Sequence, residues 1–318
     1  MASNEIASVR RSDLIHHVEV ENLVRDWEKY LRSEKARGTA NAYMKGLNTF
    51  LDWLKGEGLP LAHVVPSIIR RWRDSLVSDG YSPDSVSLWL TAVRRFYAFL
   101  INEYDVPILN PAREVKGKTS SGNGHKRDEL TSREVVAVLE TCEDIQRGKR
   151  DRALIGLMAY CALRTIEVHR ADLKDLQTKG DRLILWVHGK QRVAADEFVV
   201  ISEKAHKCLH PWLIERGKHP GPLFTSLSNR SKGTRLGLRS IRAIVTGRYF
   251  KAGVVGETKS THSLRHSAIT NAIRNGADPK QVMQMARHKS FNTTLGYYHE
   301  VNRLDSPAED LIDYGNGV

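Results

Sequence analysis

The sequence predicts a mainly α-helical protein with a small β-hairpin or sheet, arranged in two domains. The chain has 318 residues, which is enough for two domains that each bury a core of their own. Apolar residues recur at helical spacing through the first hundred residues and again after residue 130. Between these stretches lies a segment rich in Gly, Ser and Lys, which is typical of a linker.

The first domain is predicted at 18–108, after an N-terminal tail at 1–17, and is expected to be a compact bundle of four helices. Gly38 is expected to stop the first helix, and Ser82-Pro83 supplies an N-cap and a first-turn proline for the fourth. The four helices are predicted at 18–37, 39–55, 66–77 and from 83 through 100.

A basic, flexible linker is predicted at 109–127, followed by the second domain at 128–303 and an acidic C-terminal tail at 304–318. A linker that crosses a phosphate backbone would need a positive bias, and a plain solvated linker is the alternative. The tail has four acids and no Lys or Arg, and we hypothesise from its charge and apolar spacing that it forms a short helix docking on a neighbouring protomer. Against the single acid Glu114, the linker carries Arg113, Lys116, Lys118, Lys126 and Arg127.

The second domain is predicted to be helical around one hairpin. Thr131 and Glu134 form a capping-box pattern at its start. Two short strand-like runs, 183–188 and 197–201, flank a turn at 189–192, so a small hairpin is expected. Helical spacing predicts helices at about 132–147, 150–162, 203–216, 238–252, 263–275 and 279–286, and beyond.

The formal net charge is +12, and a basic balance of this size indicates an anionic partner, most often nucleic acid. Residues 1–110 contain 14 Lys+Arg and 14 Asp+Glu, so the whole excess lies in 111–318. Because the tail is acidic, the positive charge belongs to the linker and the body of the second domain. A basic surface that only confers solubility is the alternative that charge alone leaves open.

Three cysteines, Cys142, Cys161 and Cys208, are far apart, odd in number and in no metal-ligand spacing. They are interpreted as reduced thiols, which predicts a cytoplasmic protein without a structural metal. The longest apolar run, 153–163, has the length of a core helix and is too short to cross a bilayer. The first eleven residues lack the apolar core of a secretion signal.

A set of residues in the second domain has the chemistry that breaks a phosphodiester without a metal. That reaction needs a nucleophile at phosphorus, cations on the non-bridging oxygens, and an acid for the leaving oxygen. Arg suits the clamp because its guanidinium stays charged and binds two oxygens at once. His and Lys suit proton transfer, and a positioned Tyr is an adequate covalent nucleophile.

Arg164 and Glu167 are the first members of this set. They stand three apart, on one helical face if that segment is helical, so Glu167 could hold the arginine in position. An ordinary surface ion pair is the alternative. Lys190 lies at the predicted hairpin turn, from which it could swing into a groove, although a solvated turn lysine would have the same sequence.

The remaining members lie close to the C-terminal end of the domain. His262 and Arg265 are three apart, so one helical turn brings them to the same face, as it would in any basic helix start. His288 stands nine residues before Tyr297, with Tyr298 beside it. A packed structural tyrosine is the alternative for each of the two.

Taken in order, these residues resemble the tyrosine recombinase, or phage integrase, family. That family has an Arg with an acid three residues later, a Lys in a β-hairpin, His-x-x-Arg, a second His, and a Tyr about nine residues on. In the same order this chain has Arg164 and Glu167, Lys190, His262 and Arg265, His288, and Tyr297. The first domain resembles the family's core-binding domain through Thr39-x-x-x-Tyr43, Phe50-Leu-x-Trp53-Leu, Arg94-Arg-Phe-Tyr97-x-Phe-Leu100 and Asn110-Pro111, so the resemblance covers residues 18–300.

The chain departs from the family at three places. Where the family has Leu-Gly-His, this chain has Ala286-Arg287-His288, so an arginine replaces the usual glycine and is expected to change the local backbone or add a phosphate contact. The hairpin after Lys190 lacks the family's Gly-rich and Lys-rich continuation. Two tyrosines are adjacent, and alignment from His288 and the Thr293-Thr294 pair favours Tyr297 over Tyr298.

The resemblance implies a site-specific recombinase or integrase of the integrase fold: a helical core-binding domain and an α/β catalytic domain that clamp DNA. Tyr297 would attack the scissile phosphate and form a 3′-phosphotyrosyl link. Arg164 and Arg265 would clamp the non-bridging oxygens. The remaining site residues would act in proton transfer or support. His262 and His288 would donate or exchange protons, and Lys190 would protonate the leaving 5′ oxygen. Glu167 would orient the first arginine and the neighbouring histidine. No cofactor is implied, since the covalent link conserves the bond energy.

The implied partner is double-stranded DNA with specific recombination sites. The resemblance also implies that the protein acts as a homotetramer, that the reaction proceeds through a Holliday junction, and that no membrane is involved. Accessory DNA-bending proteins are a further candidate. Two alternatives share the fold or the chemistry: a catalytically inactive DNA-binding regulator, and an enzyme with type IB topoisomerase activity. A helical RNA-binding protein is a third, for which the sequence has no aromatic recognition motif.

Overall fold

The computed structural model describes residues 20–104, 109–117, 129–188, 197–256, 258–305 and 307–312, without the side chains of 302, 304 and 308. The chain divides into two compact units, residues 1–123 and 124–318, and each has its own hydrophobic core. The predicted fold class, mainly helical with a small sheet, is confirmed. Among the described helices, none combines the length and apolar character that crossing a membrane requires.

The first unit contains a bundle of four helices around an aromatic-rich core. The first break lies at Lys35-Ala36, where Ala36 is extended (φ −57°, ψ 141°), so Gly38 falls inside the next helix instead of ending the previous one. The last buried residue before this break is Leu31, which leaves nothing apolar to extend the helix further. The helices are α1 (Val20–Glu34), α2 (Arg37–Gly56), α3 (Pro66–Ser78) and α4 (Pro83–Glu103).

Residues 109–117, which the sequence assigns to the linker, pack against α4 and the rest of the first unit. The Arg94 guanidinium donates to the carbonyls of Ala112 (3.0 Å) and Val115 (2.9 Å). Ala112 and Val115 are buried in the bundle core. This segment is held because its apolar residues and backbone carbonyls both find partners, and most of the remaining predicted linker lies outside the described residues.

The second unit is built around α6, a helix that is buried on nearly every side. The gap between α5 and α6 is longer than predicted, and within it the backbone of Glu143 lies close to Gly148 in the first turn of α6. A Cβ on Gly148 would lie 1.9 Å from the Glu143 carbonyl oxygen. The helices are α5 (Ser132–Glu140), α6 (Gln146–Tyr160), α7 (Thr165–Arg170), α8 (Glu203–Arg216), α9 (Leu238–Lys251), α10 (Thr261–Arg274), α11 (Pro279–Ala286) and α12 (Phe291–Asp305).

A three-stranded antiparallel sheet of order β1-β2-β3 stands beside these helices. Strands β2 (Arg182–Val187) and β3 (Glu197–Val200) are the predicted pair, with Ile184 opposite Val200. Strand β1 (Leu176–Lys179) was not predicted, because it is short, largely exposed and has one apolar residue. The predicted turn at 189–192 lies outside the described residues.

The C-terminal segment is tied to the second unit by ion pairs. Arg274 of α10 pairs with Asp305 (2.8 Å), and Arg303 pairs with Glu309 (2.6 Å). The short helix predicted in the tail is a single 3-10 turn at Ala308–Leu311, and residues from 313 onward lie outside the described part of the chain.

Candidate active site

Arg164 and Glu167 meet where the chain enters α7. Arg164 lies just before the helix with an extended backbone (φ −78°, ψ 152°), and Glu167 is in its first turn. The Arg164 Nη1 donates to Glu167 Oε1 at 2.7 Å, and the Arg164 backbone N–H donates to Oε2 at 2.8 Å. The Glu167 side chain is only 2% exposed, so the alternative of a surface helical ion pair is wrong.

Arg265 approaches the same place from α10. Ser260 and Ser263 form a capping box that starts this helix at Thr261, two residues earlier than predicted. His262 therefore lies in the first turn, one helical turn before Arg265. Arg265 is buried, and its guanidinium donates to the carbonyls of Ala162 and Ala286.

Two backbone carbonyls accept hydrogen bonds from several of these arginines. Ala162 has a left-handed backbone (φ 50°), and its carbonyl accepts from Arg265 Nη1 at 2.5 Å and from Arg287 Nη2 at 2.9 Å. The Ala286 carbonyl accepts from Arg265 Nη2 and from Arg164 Nη2, the latter at 3.4 Å. These shared acceptors bring Arg164 and Arg265 together although about one hundred residues separate them in sequence.

Arg287 ends α11 in the left-handed region (φ 53°, ψ 49°), which glycine adopts without strain. The arginine thus occupies a conformation that is costly for a side chain, and the expected difference from the family's backbone stays a prediction. Its side chain turns inward and is 2% exposed. The Nη2 atom donates to Glu167 Oε2 at 2.7 Å, which leaves this guanidinium engaged inside the protein and not at a surface that phosphate could contact.

The cluster carries more positive than negative charge. Three guanidinium groups, on Arg164, Arg265 and Arg287, are connected by hydrogen bonds to the single carboxylate of Glu167 or to the carbonyls around it. Burial, with repulsion from Arg164 and Arg287, lowers the pKa of Arg265 to about 9. An anion placed here would relieve that repulsion, so the cluster is suited to bind phosphate.

His288 and Tyr297 complete the site. The His288 ring follows α11, and its Nδ1 is hydrogen-bonded to the buried Thr294 hydroxyl at 2.9 Å. The Tyr297 ring, on α12, stacks on His288 with 5.7 Å between centroids and a 16° interplanar angle. Burial raises the pKa of Tyr297, and the positive charges of Arg265 and Arg164 oppose that rise.

Tyr298 points elsewhere. Its hydroxyl donates to the carbonyl of Ala277, between α10 and α11. Its ring is half-buried against the small core formed by α10, α11 and α12. The contacts of the two adjacent tyrosines therefore favour Tyr297, whose ring packs against His288 and His266, as the member of the candidate site.

Lys190 is the one predicted site residue that falls outside the described part of the chain. The strands that precede and follow it, β2 and β3, are paired from Ile184 to Val187 with Glu197 to Val200. The assignment of Lys190 stays a prediction from the sequence.

The sequence model of the phage integrase family matches residues 128–303, which is more than half of the chain. The chain belongs to the phage integrase family. A second model, for the N-terminal SAM-like domain of phage integrases, matches residues 24–104. Family membership therefore extends over both structural units.

Curated relatives of this integrase are named tyrosine recombinases. Tyrosine recombinase XerD of Brucella suis biovar 1 is 28% identical over 295 residues, covering 87% of this chain and 93% of the relative. Tyrosine recombinase XerC of Actinobacillus pleuropneumoniae serotype 7 is 27% identical over 276 residues, covering 86% of this chain and 87% of the relative. The integrase thus spans nearly the full length of both.

Solved structures share the fold of this integrase. The XerH site-specific recombinase in a post-cleavage complex with palindromic difH substrate has a TM-score of 0.72 at 21% identity, covering 89% of this chain and 82% of that chain. A lambda integrase tetramer bound to a Holliday junction has a TM-score of 0.66 at 15% identity, covering 87% of this chain and 76% of that chain.

Some residues of the site were not singled out from the sequence. His266, which directly follows Arg265, lies with its ring centroid 5.3 Å from that of Tyr297. Thr165 donates to the Thr261 hydroxyl at 3.0 Å, which ties α7 to α10. The Thr293-Thr294 pair helps to select Tyr297 in the sequence, but the hydrogen bond between Thr294 and His288 was not anticipated. The adjacency of His266 to Arg265 was a usable signal, whereas nothing local marks a threonine that acts on a distant helix.

Replacing Glu167 by Gln is expected to lower the free energy of unfolding by about 3 kcal/mol at pH 7, because buried arginines lose their anionic partner. Burial raises the pKa of Glu167, but Arg287 and Arg164 outweigh burial and hold this pKa below its usual value. The carboxylate therefore contributes stability above the ordinary pKa of a glutamate, and this contribution disappears as the pH falls through the lowered pKa. Urea unfolding of both proteins at pH 7 and near pH 3.5 measures the difference, and an equal difference at the two pH values would contradict the prediction.

Proposed function

We propose that this chain is a site-specific tyrosine recombinase that cuts and rejoins DNA through a covalent 3′-phosphotyrosyl intermediate. One observation carries the proposal: the Tyr297 ring stacks on His288, and two residues before His288 the Ala286 carbonyl accepts hydrogen bonds from both Arg265 and Arg164. A nucleophile, a proton-transfer group and an anion-binding cluster thus meet in one place. The curated relatives support the same activity through their names.

The arginines stabilise the charge that develops on phosphorus. When Tyr297 attacks, negative charge grows on the non-bridging oxygens of the scissile phosphate, and the guanidinium groups of Arg164 and Arg265 neutralise it. Because Arg265 is already fixed by two carbonyls, the cluster needs little reorganisation during the reaction. Glu167 holds Arg164 by two hydrogen bonds and keeps its guanidinium directed into the site.

Proton transfer accompanies the attack. The Tyr297 phenol has a raised pKa, so it is neutral near pH 7 and must lose its proton as the bond to phosphorus forms. His288 stacks on this ring and is oriented by Thr294, which makes it the acceptor we propose, with His262 exchanging protons at the phosphate. Lys190 is proposed to protonate the departing 5′ oxygen.

Rejoining reverses these steps on a second strand. The 5′-hydroxyl of another duplex attacks the phosphotyrosyl phosphorus, the bond from phosphorus to Tyr297 breaks, and the phenol regains its proton. We propose that two domains, 18–108 and 128–303, clamp the duplex through the linker at 109–127, and that four copies assemble on two specific sites through a Holliday junction. Accessory DNA-bending proteins and docking of the acidic tail on a neighbouring protomer stay predictions.

The experiment uses a library of nicked DNA duplexes with randomised sequence, because the nick lets the short leaving strand diffuse away and traps the adduct. Wild-type protein is expected to form SDS-resistant adducts that enrich one family of related sequences, with protein on the 3′ end of the cut strand. Protein that binds and enriches DNA without an adduct would support a regulator and overturn the proposal. Adducts on unrelated sequences, with relaxation of supercoiled plasmid in the absence of a partner duplex, would support the topoisomerase alternative.

A further inference from the structure

We propose that Arg287 is a positioning residue for DNA strand cleavage: it holds the second oxygen of Glu167 and the Ala162 carbonyl, and so fixes the two arginines that receive the phosphate. This inference rests on the proposed recombinase function. It concerns the position where this chain departs from the family's Leu-Gly-His pattern.

The geometry divides the Glu167 carboxylate between two guanidinium groups. Oε1 accepts from Arg164 Nη1 at 2.7 Å, and Oε2 accepts from Arg287 Nη2 at 2.7 Å. Arg164 itself contacts both oxygens, because its backbone N–H also donates to Oε2 at 2.8 Å. Arg287 adds a second guanidinium, with Nη2 on Oε2 and Nε at 3.4 Å from Oε1, so the carboxylate is held between two cations and keeps its alignment with the Arg164 fork.

Arg287 is also connected to the second clamp residue. Its Nη2 shares the Ala162 carbonyl with Nη1 of Arg265, at 2.9 Å and 2.5 Å respectively. The peptide at Ala162 sits in a left-handed conformation (φ 50°) that directs this oxygen inward. Removing Arg287 therefore changes the surroundings of both Arg164 and Arg265 without removing a group that touches the phosphate.

The backbone at Arg287 makes a role in filling space alone a poor explanation. The residue occupies a left-handed conformation that costs a side chain energy and that glycine adopts freely. Three of the Arg287 nitrogens nevertheless make hydrogen bonds, which include Nη1 to the Met285 carbonyl at 2.6 Å. A buried, fully engaged cation in a strained position is the pattern of a residue kept for the site it supports.

The charge of Arg287 predicts a specific change in pH dependence. Three cations surround Glu167: Arg164 ahead of α7, Arg265 on α10 and Arg287 after α11. The Cys161 thiol lies near Arg287. Among the neighbouring groups that lower the pKa of Glu167, Arg287 has the largest effect. Without the charge of Arg287, the pKa of Glu167 should rise. As the pH is lowered, the variant should then lose cleavage activity at a higher pH than the wild type does.

The test measures the rate of adduct formation on a nicked duplex selected by the wild type, from pH 5 to 8.5, for Arg287→Gln, Arg287→Lys and Arg287→Gly. The Gln and Gly variants should cleave about tenfold to a hundredfold more slowly at pH 7.5 and lose activity at higher pH on the acid side. The Lys variant keeps the charge, so it should retain the wild-type acid side and recover part of the rate.

Glu167→Gln and the double variant Arg287→Gln, Glu167→Gln distinguish positioning from a general loss of structure. Because Arg287 acts in part through Glu167 and in part through the Ala162 carbonyl, the double variant should lose clearly less activity than the product of the two single losses. Multiplied losses would overturn the inference, and so would an Arg287→Gly protein with the wild-type rate and pH profile. If Arg287→Gln does not fold, the rate and pH profile of Arg287→Gly test the inference instead, because glycine relieves the backbone strain at this position. Failure of the wild type to form any adduct would instead contradict the proposed function.

Discussion

Tyr297→Phe is expected to abolish the covalent protein–DNA adduct, with a fall of at least about 10⁴-fold in strand cleavage. The substitution removes only the phenol oxygen, which is the atom that would bond to phosphorus. The ring, with its stacking on His288 and its contact with His266, remains in the variant, so the fold and DNA binding should be retained. Adduct formation is measured on denaturing gels, beside DNA retardation on native gels.

Tyr298→Phe is the matched control, because it removes the same atom from the next residue. Its hydroxyl donates to the Ala277 carbonyl, and losing that bond should cost about 1 kcal/mol of stability. Cleavage should stay within about twofold of the wild type, since this hydroxyl lies against backbone. Full activity in Tyr297→Phe, or its loss in Tyr298→Phe, would reverse the assignment of the nucleophile.

Arg265→Gln is expected to slow cleavage by about 10³-fold while weakening DNA binding far less. Its guanidinium is one of the cations that would neutralise the phosphate oxygens, and that demand is greatest in the transition state. Burial beside Arg164 and Arg287 makes this cation poorly compensated in the free protein, so binding a phosphate relieves repulsion. Single-turnover cleavage and a binding isotherm, measured at the same salt concentration, separate the two effects.

Arg274→Gln is the control on the same helix. Arg274 lies near the end of α10, is 40% exposed and pairs with Glu129 and Asp305. Its loss should leave cleavage within about twofold, since surface ion pairs contribute little. Thermal unfolding of both variants shows whether Arg265→Gln is folded under the assay conditions. A folded Arg265→Gln protein with nearly wild-type cleavage would contradict the clamp role.

Much of the fold follows from local sequence signals. Helices α1 to α4 have continuous apolar stripes, and the proline after Ser82 fixes the start of α4, so their positions were predicted within a few residues. The pairing of β2 with β3 followed from two β-rich runs separated by a turn. Strand β1 escaped prediction because its stability comes from pairing with β2 and not from its own residues.

The candidate site divides in the same way. The order and spacing of Arg164, His262, Arg265, His288 and Tyr297 could be read from the sequence because they match a family pattern. The role of Arg287 could not be inferred from the sequence, since Glu167 and Ala162 lie more than one hundred residues away and meet it only because of how α7 and α11 pack. The sequence marked the position as a departure from the family, and only the tertiary contacts give it a partner.

The most direct test of the account is to identify which residue carries the DNA in the trapped adduct. Trypsin releases residues 290–303 as one peptide that contains both Tyr297 and Tyr298, so fragmentation by mass spectrometry after nuclease digestion can distinguish them. The account predicts a nucleotide linked through its 3′-phosphate to Tyr297. A nucleotide on Tyr298 or on any other residue, or linkage through a 5′-phosphate, would contradict it.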